Sequence, residues 1–243
     1  MTVKAKIRLY VDAPLGKGQS LSLSKDQAHY LTGVMRQKAG AMVALFNGRN
    51  GEWQAELIEA GKRRAVLMCI AQSKAQKTPP DLWFYFAPIK KSRTDFIVEK
   101  AAELGAAQIF PVQTDFTNAE RIRQDRLQAH AVEAAEQCGE TYVPPVAALQ
   151  RLDSVLTNWP DDRKLLFCDE TLVADATTGL DAENGIKWAI LIGPEGGFSD
   201  AEITRLRAMK TTRSISLGPR VLRADTAAVA ALALWQDALG DWR

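Results

Sequence analysis

The sequence has 243 residues, of which 47% are hydrophobic and 25% are charged, and its formal net charge is +2. These values exclude a disordered chain, a collagen and a coiled coil. The longest apolar run, residues 227–235, is about half as long as a membrane span, so we expect no membrane segment. The cysteines are odd in number and widely spaced, which excludes a disulfide framework and a CxxC metal site and favours a reducing, cytoplasmic location. They are Cys69, Cys138 and Cys168.

Positive charge is concentrated in the first third of the chain. Residues 1–78 contain 13 Lys and Arg against 5 Asp and Glu, a net charge of +8. Residues 79–243 contain 18 against 24, a net charge of −6. A basic module joined to a larger acidic one favours contact between the basic part and a polyanion such as nucleic acid. The excess of positive charge in residues 1–78 could also have no role other than keeping the chain soluble, so charge leaves both interpretations open.

The first part of the chain, residues 1–74, predicts a small β-barrel. A polar segment at 73–81 ends in two consecutive prolines, which neither a helix nor a central strand accommodates, and it marks the boundary to a second part at 75–243. One short helix is predicted from Asp26 to Met35. The predicted strands are rich in β-branched and aromatic residues and lie at 6–11, 43–47, 52–60 and 64–71.

After the boundary the pattern alternates between strands and helices. Ser92 with Asp95 and Ser199 with Glu202 have the spacing of capping boxes, and Gly105 follows a helical run as a C-terminal stop. This alternation predicts an α/β domain whose mostly parallel sheet is covered by helices. The predicted strands are 83–88, 108–112, 164–169, 188–193 and 214–218, and the predicted helices are 92–105, 126–138, 199–209 and 224–239.

Two Gly-Pro loops follow predicted strands and precede predicted helices, at 192–199 and 217–226. In a parallel α/β sheet, ligands bind in the crevice at the carboxyl ends of the strands, where both loops are expected. The first loop, GPEGG, matches neither a dinucleotide fingerprint nor a P-loop, and its Glu195 disfavours a phosphate ligand. A purely structural use of these glycines, capping strands and starting helices, remains the alternative for each loop.

The motifs around these loops occur together in the order of one known family. GPEGGFSDAEI with LGPRVLRADTAAVAAL, then FAPIKKSRTDFIVEKAAELGA, RLQAHAVEAAEQCG and HYLTGVMRQKAGAMVALFNGRNGEW, resemble the 16S rRNA uracil-N3 methyltransferase family of the SPOUT superfamily. The resemblance covers most of the chain. It implies a PUA-like RNA-binding barrel at 1–74 and, at 75–243, a SPOUT methyltransferase domain with a deep trefoil knot. It also implies a homodimer that methylates a uridine of 16S rRNA in the small ribosomal subunit.

The resemblance further implies S-adenosylmethionine (SAM) as the cofactor and assigns site residues. Cofactor binding is expected at Leu191, Ile192, Gly193, Pro194, Glu195, Gly196, Gly197, Leu217, Gly218, Val221 and Leu222. RNA contacts are expected at Arg8, Arg36, Asn47, Arg49, Lys90, Lys91 and Arg93. No metal is expected, because a sulfonium methyl donor is already activated and the two His are far apart in the sequence.

Arg223 and Asp225 are the candidate catalytic residues, because they lie where the second loop enters the last helix. Uracil N3 is a poor nucleophile until its proton leaves, and charge then develops on the uracil oxygens. Arg223 is suited to donate to a uracil carbonyl or an RNA phosphate. Asp225 is suited to accept the N3 proton or to orient Arg223, although an Asp before an apolar run also caps helices.

Three acidic residues depart from the family pattern, which has Arg at the positions of Asp115 and Glu140 and Glu at the position of Asp225. The loss of two cations disfavours a surface that touches rRNA. Two alternatives to rRNA methylation therefore stay open. One is a SPOUT methyltransferase that acts on another RNA, and the other is a catalytically weak RNA-binding factor for ribosome assembly.

Overall fold

A computed structural model describes residues 5–118, 122–172 and 187–242. The contacts divide the chain into two compact units. Unit 1 comprises Met1–Thr78 with Ala135–Val143, and unit 2 comprises Pro79–Ala134 with Pro144–Arg243. The segment Ala135–Val143 thus belongs to the first unit, whereas the sequence boundary assigns it to the second part. No helix of the described residues is long and apolar enough to cross a membrane.

Unit 1 contains one five-stranded sheet. In chain order its strands are β1 (Ile7–Tyr10), β2 (Ser20–Ser22), β3 (Met42–Phe46), β4 (Glu52–Ala60) and β5 (Ala65–Lys74). The spatial order is β1-β3-β4-β5-β2, in which β1 and β3 are parallel and the other pairs are antiparallel. Register shifts between β4 and β5 mark bulges, which bend the paired strands around the apolar core of the unit. The four predicted strands are confirmed, and β2 was not predicted.

The predicted helix at 26–35 is divided into two turns of different geometry. An α-helix, α1, spans Lys25–His29 and begins with a capping box between Ser24 and Gln27. A π-helical turn follows at Tyr30–Val34. Arg36 comes shortly after this turn and has a φ of 52°, a left-handed conformation that is uncommon for a residue with a side chain.

Unit 2 is built on a six-stranded parallel sheet, so the predicted α/β class with a mostly parallel sheet is confirmed. The strands of this sheet are β6 (Leu82–Phe86), β7 (Gln108–Gln113), β8 (Gln150–Arg151), β9 (Arg163–Cys168), β10 (Lys187–Ile192) and β11 (Thr212–Ile215). The spatial order is β11-β9-β10-β6-β7-β8. All five of these pairings are parallel. The carboxyl ends of β9, β10 and β11 therefore lie side by side at one edge.

Within the described residues, five α-helices accompany this sheet. They are α2 (Lys91–Glu103), α3 (Gln124–Cys138), α4 (Leu152–Thr157), α5 (Asp200–Ala208) and α6 (Ala224–Leu239). Side chains of α4 and α5, including Leu152 and Leu206, share one core cluster with β9 and β10. Helices α2 and α6 pack together, and Gln236 of α6 donates to the Leu104 carbonyl at 2.7 Å. The bounds of α6 coincide with the prediction, whereas α4 was not predicted.

The two predicted capping boxes have different outcomes. Ser199 accepts from the backbone of Glu202, whose side chain accepts from the backbone of Ser199, so the box at α5 is confirmed. At α2 the cap position is Lys90, and no side chain caps it. Asp95 does not turn back to the helix start, because it is buried in an ion pair with Arg126 of α3. The predicted box at Ser92 and Asp95 is therefore wrong.

Candidate active site

The two Gly-Pro loops line one cavity of about 470 Å³ in unit 2. The first loop begins where β10 ends at Ile192, and the second follows β11. A turn closes the first loop, because the Gly197 amide donates to the Pro194 carbonyl at 3.0 Å. In the second loop the Gly218 amide donates to Ser216 Oγ at 3.2 Å, and Gly218 has a φ of 108°. The loops thus present backbone groups at the carboxyl edge of the sheet, as the sequence predicts.

Ten of the eleven predicted cofactor residues line this cavity. They are Ile192, Gly193, Pro194, Glu195, Gly196, Gly197, Leu217, Gly218, Val221 and Leu222. Leu191 does not line the cavity, because its side chain is 1% exposed and belongs to the core cluster with Phe167 and Phe198, which leaves its backbone groups for a cofactor contact. Successive side chains of a strand point to opposite faces, so Leu191 and Ile192 cannot both face the same space.

β9 and the residues after it provide a third wall of the cavity, which was not predicted from the sequence. Cys168, Asp169 and Glu170 line the cavity, and none of them was assigned to the site. The buried Asp169 carboxylate accepts from Arg207 Nε at 2.9 Å and Nη2 at 2.6 Å. The acidic end of a buried strand, FCDE, was the available signal for this wall. The cavity is also lined by the predicted catalytic residue Arg223 and by four residues outside the prediction, which are Ser216, Arg220, Ala224 and Ala227.

Two glycines of the first loop are in close contact with side chains, one with Glu170 and the other with Phe198. Glu170 Oε1 accepts from the Phe198 amide at 3.2 Å, and a Cβ on Gly197 would collide with the same oxygen. Gly197 also has a φ of 72°, which L side chains rarely adopt. A Cβ on Gly193 would lie 2.5 Å from the Phe198 ring. These two positions therefore require glycine for close approach and, at Gly197, for backbone conformation.

The Cys168 thiol at this wall is chemically inert. Burial raises its pKa, and the nearby Glu170 carboxylate raises it further. A thiol with a raised pKa remains protonated at neutral pH and is neither a nucleophile nor a metal ligand. Among the described residues, no group of three His, Cys, Asp or Glu side chains is placed to hold a metal ion.

Of the two candidate catalytic residues, Arg223 lines the cavity and Asp225 lies beside it. Arg223 is the residue immediately before α6, and its side chain is exposed. Asp225, in the first turn of α6, accepts from the Thr226 amide at 2.9 Å. Its Oδ2 also lies 3.8 Å from Arg93 Nε. Arg93, at the start of α2, forms a second ion pair with Glu195 at 3.1 Å. Asp225 is therefore oriented by a cation and a helix terminus.

Arg8, one of the predicted RNA contacts, is engaged within unit 1. Its Nε donates to the buried Glu52 at 2.6 Å, and its guanidinium lies 3.7 Å from the centre of the Phe46 ring. Its terminal nitrogens donate to the carbonyls of Ala135 and Glu140, so Arg8 closes the end of α3. The guanidinium is thus occupied by partners in its own unit, which leaves little of it available to RNA.

Asn47 is likewise engaged, since it is 3% exposed. Its amide donates to the Ala13 carbonyl at 2.8 Å and to Asn50 at 2.7 Å, and its oxygen accepts from the Arg49 amide at 3.0 Å. This side chain holds the loop after β3, which leaves it no group for RNA. Arg49 itself is largely exposed and pairs with Asp12 at 3.0 Å on the surface.

The remaining predicted RNA contacts are exposed. Arg36 lies on the surface of unit 1 after the π-helical turn. Lys90 and Lys91 lie on the surface of unit 2 at the start of α2. Of the seven predicted residues, the structure therefore leaves Arg36, Arg49, Lys90 and Lys91 with accessible charges, while Arg93 is shared between Glu195 and Asp225.

The two acidic departures differ in their surroundings, because the Asp115 carboxylate has a local partner whereas the Glu140 side chain is exposed. Asp115 Oδ2 accepts from Ser199 Oγ at 2.6 Å, and the Asp115 amide donates to Glu202 at 3.0 Å. Asp115 therefore ties the segment after β7 to the start of α5. Glu140 contributes its backbone carbonyl to Arg8.

Comparison with known proteins decides the family of this chain. A model described as an RNA methyltransferase domain matches residues 76–236, and a model described as an RNA methyltransferase PUA domain matches residues 23–67. The chain belongs to this RNA methyltransferase family. The family resemblance inferred from the sequence motifs is thereby confirmed.

Members of the family with curated names resemble the chain over most of its length. A Rickettsia conorii protein named ribosomal RNA small subunit methyltransferase E is 29% identical over 93% of this chain and 93% of its own length. A protein of the same name from Synechocystis is 31% identical over 88% of this chain and 72% of its own length. A third, from Bacillus subtilis, is 26% identical and covers 88% of both chains.

Solved structures of the family share the fold of this methyltransferase. A ribosomal RNA small subunit methyltransferase E from Neisseria gonorrhoeae, solved bound to SAM, matches with a TM-score of 0.86 and 26% identity, covering 98% of this chain and 99% of that one. A Legionella pneumophila protein, also solved with bound SAM, matches with a TM-score of 0.85 and 29% identity, covering 98% of this chain and 100% of that one. The chain thus shares its fold, over nearly its whole length, with relatives that bind SAM.

Proposed function

We propose that the protein transfers the methyl group of SAM to N3 of a uridine in 16S rRNA of the small ribosomal subunit. The observation that carries the proposal is the cavity at the carboxyl edge of the sheet, which ten of the predicted cofactor residues line. Relatives named ribosomal RNA small subunit methyltransferase E, and a relative solved with SAM, support the substrate class and the cofactor. The N3 position follows from the family motifs in the two loops.

The lining of the cavity fits SAM by size and by donor chemistry. About 470 Å³ lies within the range of small-molecule sites. Leu217, Val221 and Leu222 offer apolar surface for the adenine, and backbone amides and carbonyls of both loops offer hydrogen bonds to its edge. Glu170 and Glu195 provide negative charge near a cationic ligand. When bound, SAM supplies an activated methyl group.

The protein's own residues then have to activate the uracil. Arg223, exposed at the cavity wall, donates hydrogen bonds to a uracil oxygen and stabilises the negative charge that develops as N3 loses its proton. Asp225 is held toward Arg93 and does not line the cavity. We therefore assign Asp225 an orienting role and do not assign it as the proton acceptor.

RNA binding is proposed for the accessible cations. Arg36 and Arg49 are exposed on unit 1, the more basic part of the chain, and Lys90 and Lys91 are exposed on unit 2. Such side chains neutralise phosphates and make the affinity depend on salt. Because N3 lies on the Watson–Crick edge, the target uridine has to be unpaired or flipped out of a helix before it reaches the cavity.

The resemblance also supports a cytoplasmic homodimer with a trefoil knot in the catalytic unit. One feature agrees with a second copy near the site. Val221, in the loop that lines the cavity, is 74% exposed, although an apolar residue of this size gains by being covered. Phe96 and Leu234, on the packed helices α2 and α6, are also exposed.

Incubation of the protein with methyl-labelled SAM and small ribosomal subunits that lack N3-methyluridine tests the proposal. We expect label at one uridine of 16S rRNA. Parallel reactions with deproteinised 16S rRNA and with bulk tRNA distinguish a subunit substrate from naked RNA and from another RNA. Bound SAM without transfer to any of these RNAs would contradict an enzymatic function and favour an assembly factor.

A further inference from the structure

A second cavity, of about 560 Å³, lies in unit 2 apart from the cofactor site. Its floor is a cluster of aromatic side chains, Trp83 and Tyr85 of β6 and Trp159 after α4, which we call the aromatic wall. The ring centres of Tyr85 and Trp159 are 5.4 Å apart. The polar residues of its rim come from β8 and α4 and the turn after it, and they are Gln150, Arg151, Ser154 and Asn158. The two cavities share no lining residue.

One buried arginine fixes two rings of the aromatic wall. Arg163 is 3% exposed, and its guanidinium lies 3.6 Å from the centre of the Trp83 ring. The same guanidinium donates to the carbonyls of Asp81 at 3.0 Å and Trp188 at 2.8 Å. The Arg163 carbonyl accepts from Trp159 Nε1 at 2.9 Å. The wall is therefore ordered before a ligand arrives, which lowers the entropic cost of binding.

Tyr85 brings a polar group into this cavity without a protein partner. The residue is 4% exposed and its ring stacks on Phe110 at 4.6 Å, yet its hydroxyl forms no hydrogen bond with any residue that the structure describes. Because Tyr85 lines the cavity, this hydroxyl can form a hydrogen bond with a bound ligand. Burial raises the pKa of Tyr85, so the group remains a neutral hydrogen-bond donor at physiological pH.

The charge of the cavity is positive. Arg151 is exposed at the rim and forms no ion pair within the described part of the chain. No Asp or Glu lines this cavity. Arg151 also lines a neighbouring cavity with Asp115, Asp153 and Glu202, whose carboxylates are engaged by Ser199, Arg205 and the capping box of α5. The neighbouring Gln150 has a side-chain amide, which both donates and accepts hydrogen bonds. Aromatic rings stack on the base of a nucleotide, side-chain amides form hydrogen bonds with the edge of the base, and a guanidinium binds the phosphate. The cavity contains all three kinds of group.

We propose that this second cavity binds one nucleotide of a single-stranded RNA segment, its base on the aromatic wall and its phosphate at Arg151. The RNA source of that nucleotide rests on the proposed function. Trp83 pairs with Ala189, three residues before Ile192 at the cofactor cavity, and three strand residues span about 10 Å. We expect the bound nucleotide to belong to the same RNA segment as the methylated uridine, where it positions the RNA without being modified.

Fluorine NMR of the full chain labelled with 5-fluorotryptophan tests this proposal. The chain has six Trp, and substitution of single Trp by Phe assigns the signals. Trp188 and Trp235, each 2% exposed and outside the cavity lining, serve as internal references. We expect oligouridine to shift the signals of Trp83 and Trp159 and to bind more tightly than uridine 5′-monophosphate, because a strand adds further phosphate contacts.

Arg151→Gln is expected to weaken this binding about tenfold, the loss typical of one charge-assisted hydrogen bond. It should raise the KM for rRNA and leave kcat and SAM affinity unchanged, because Arg151 does not line the cofactor cavity. Lys210→Gln, which removes an exposed cation of the same unit outside both cavities, is the matched control and should change neither quantity.

Three results would overturn the proposal. The first is that the Trp83 and Trp159 signals stay unchanged at saturating oligouridine, and the second is that Arg151→Gln binds oligouridine as tightly as the wild type. The third is that uridine 5′-monophosphate binds more tightly than oligouridine, which would identify a free nucleotide as the ligand. Methyl transfer is measured separately on the same samples. Shifted signals without any transfer would support the nucleotide cavity and contradict the proposed methylation, so the two failures are distinguishable.

Discussion

Arg93 lies between two carboxylates of the active-site loops: its Nη1 is 3.1 Å from Glu195 Oε1, and its Nε is 3.8 Å from Asp225 Oδ2. The first turn of α2 thereby connects the loop after β10 to the first turn of α6. The sequence motif KKSR suggested that this arginine contacts RNA. Its two partners instead indicate a residue that positions the loops around the cofactor.

Arg93→Gln tests this positioning role. Removing the cation leaves Glu195 and Asp225 without compensation, and we expect SAM to bind about fivefold more weakly, as for loss of a partly exposed ion pair. Isothermal titration calorimetry measures the affinity. Lys91→Gln, which removes an exposed cation two residues away, is the control and should affect RNA binding only. If Arg93→Gln instead binds RNA more weakly and SAM with unchanged affinity, Arg93 is an RNA contact.

Arg223→Ala tests charge stabilisation at the uracil. We expect kcat to fall about a hundredfold, a loss typical of removing one donor to a developing oxyanion. SAM affinity should change little, because the loops offer mostly backbone groups. Single-turnover transfer to small subunits measures the rate. Arg220→Ala removes a charge from the same cavity lining and should be far less damaging. Equal rates for Arg223→Ala and the wild type would exclude a catalytic role for Arg223.

Gly197→Ala tests the close approach of Glu170. The new Cβ collides with the Glu170 carboxylate, and a φ of 72° costs an L residue about 1–2 kcal/mol. We expect SAM affinity to fall more than about tenfold while unit 1 stays folded. Gly16→Ala is the control, because its Cβ would meet nothing nearer than 3.8 Å. Full SAM binding by Gly197→Ala would show that this turn does not shape the cofactor site.

Arg8→Ala tests the structural role of a predicted RNA contact. It leaves the buried carboxylate of Glu52 without its main partner and removes the group that closes α3, so we expect a loss of about 3 kcal/mol in the free energy of unfolding. Urea denaturation followed by circular dichroism measures it. Arg49→Ala, at an exposed arginine of the same unit, should cost less than about 1 kcal/mol. Similar stability of the two variants would contradict the role assigned to Arg8.

The same pair makes stability depend on pH. Burial alone would raise the pKa of Glu52, but hydrogen bonds from Arg8 and Ser73 outweigh it, and the pKa lies below its usual value of 4.5. The ionised pair therefore stabilises the fold above pH 4.5, and this contribution is lost as the pH falls through the lowered pKa. In Glu52→Gln this part of the acid dependence should be absent. Unfolding free energies of both proteins between about pH 6 and pH 3 measure the difference.

Local sequence patterns correctly predicted helix bounds where the residues that form the pattern interact only with their neighbours in the chain. The apolar run before Gly240 predicted the bounds of α6, and the spacing of Ser199 and Glu202 predicted the start of α5. The same reasoning failed at Ser92 and Asp95, because Asp95 pairs with Arg126, 31 residues away. A carboxylate near a helix start caps the helix only when no distant cation competes for it.

One part of the proposed cofactor cavity was likewise predictable from local sequence, and another part was not. The two Gly-Pro loops were recognisable because glycine and proline restrict the backbone locally, and they supplied most of the lining. The acidic wall at Asp169 and Glu170 became part of the site only because β9 lies beside β10 in the sheet. A strand's neighbours are set by long-range pairing, which a single sequence does not display.

By itself, the sequence determined the basic first module, the parallel α/β class, the family and the two loops that line the proposed cofactor cavity. Only the tertiary structure decided which of its cations are free. Arg8 and Arg93 look like RNA contacts in the motifs, yet each is held by carboxylates that the fold brings from far along the chain. Charge is a property of the residue, whereas its availability depends on the partners that folding places within a few ångströms.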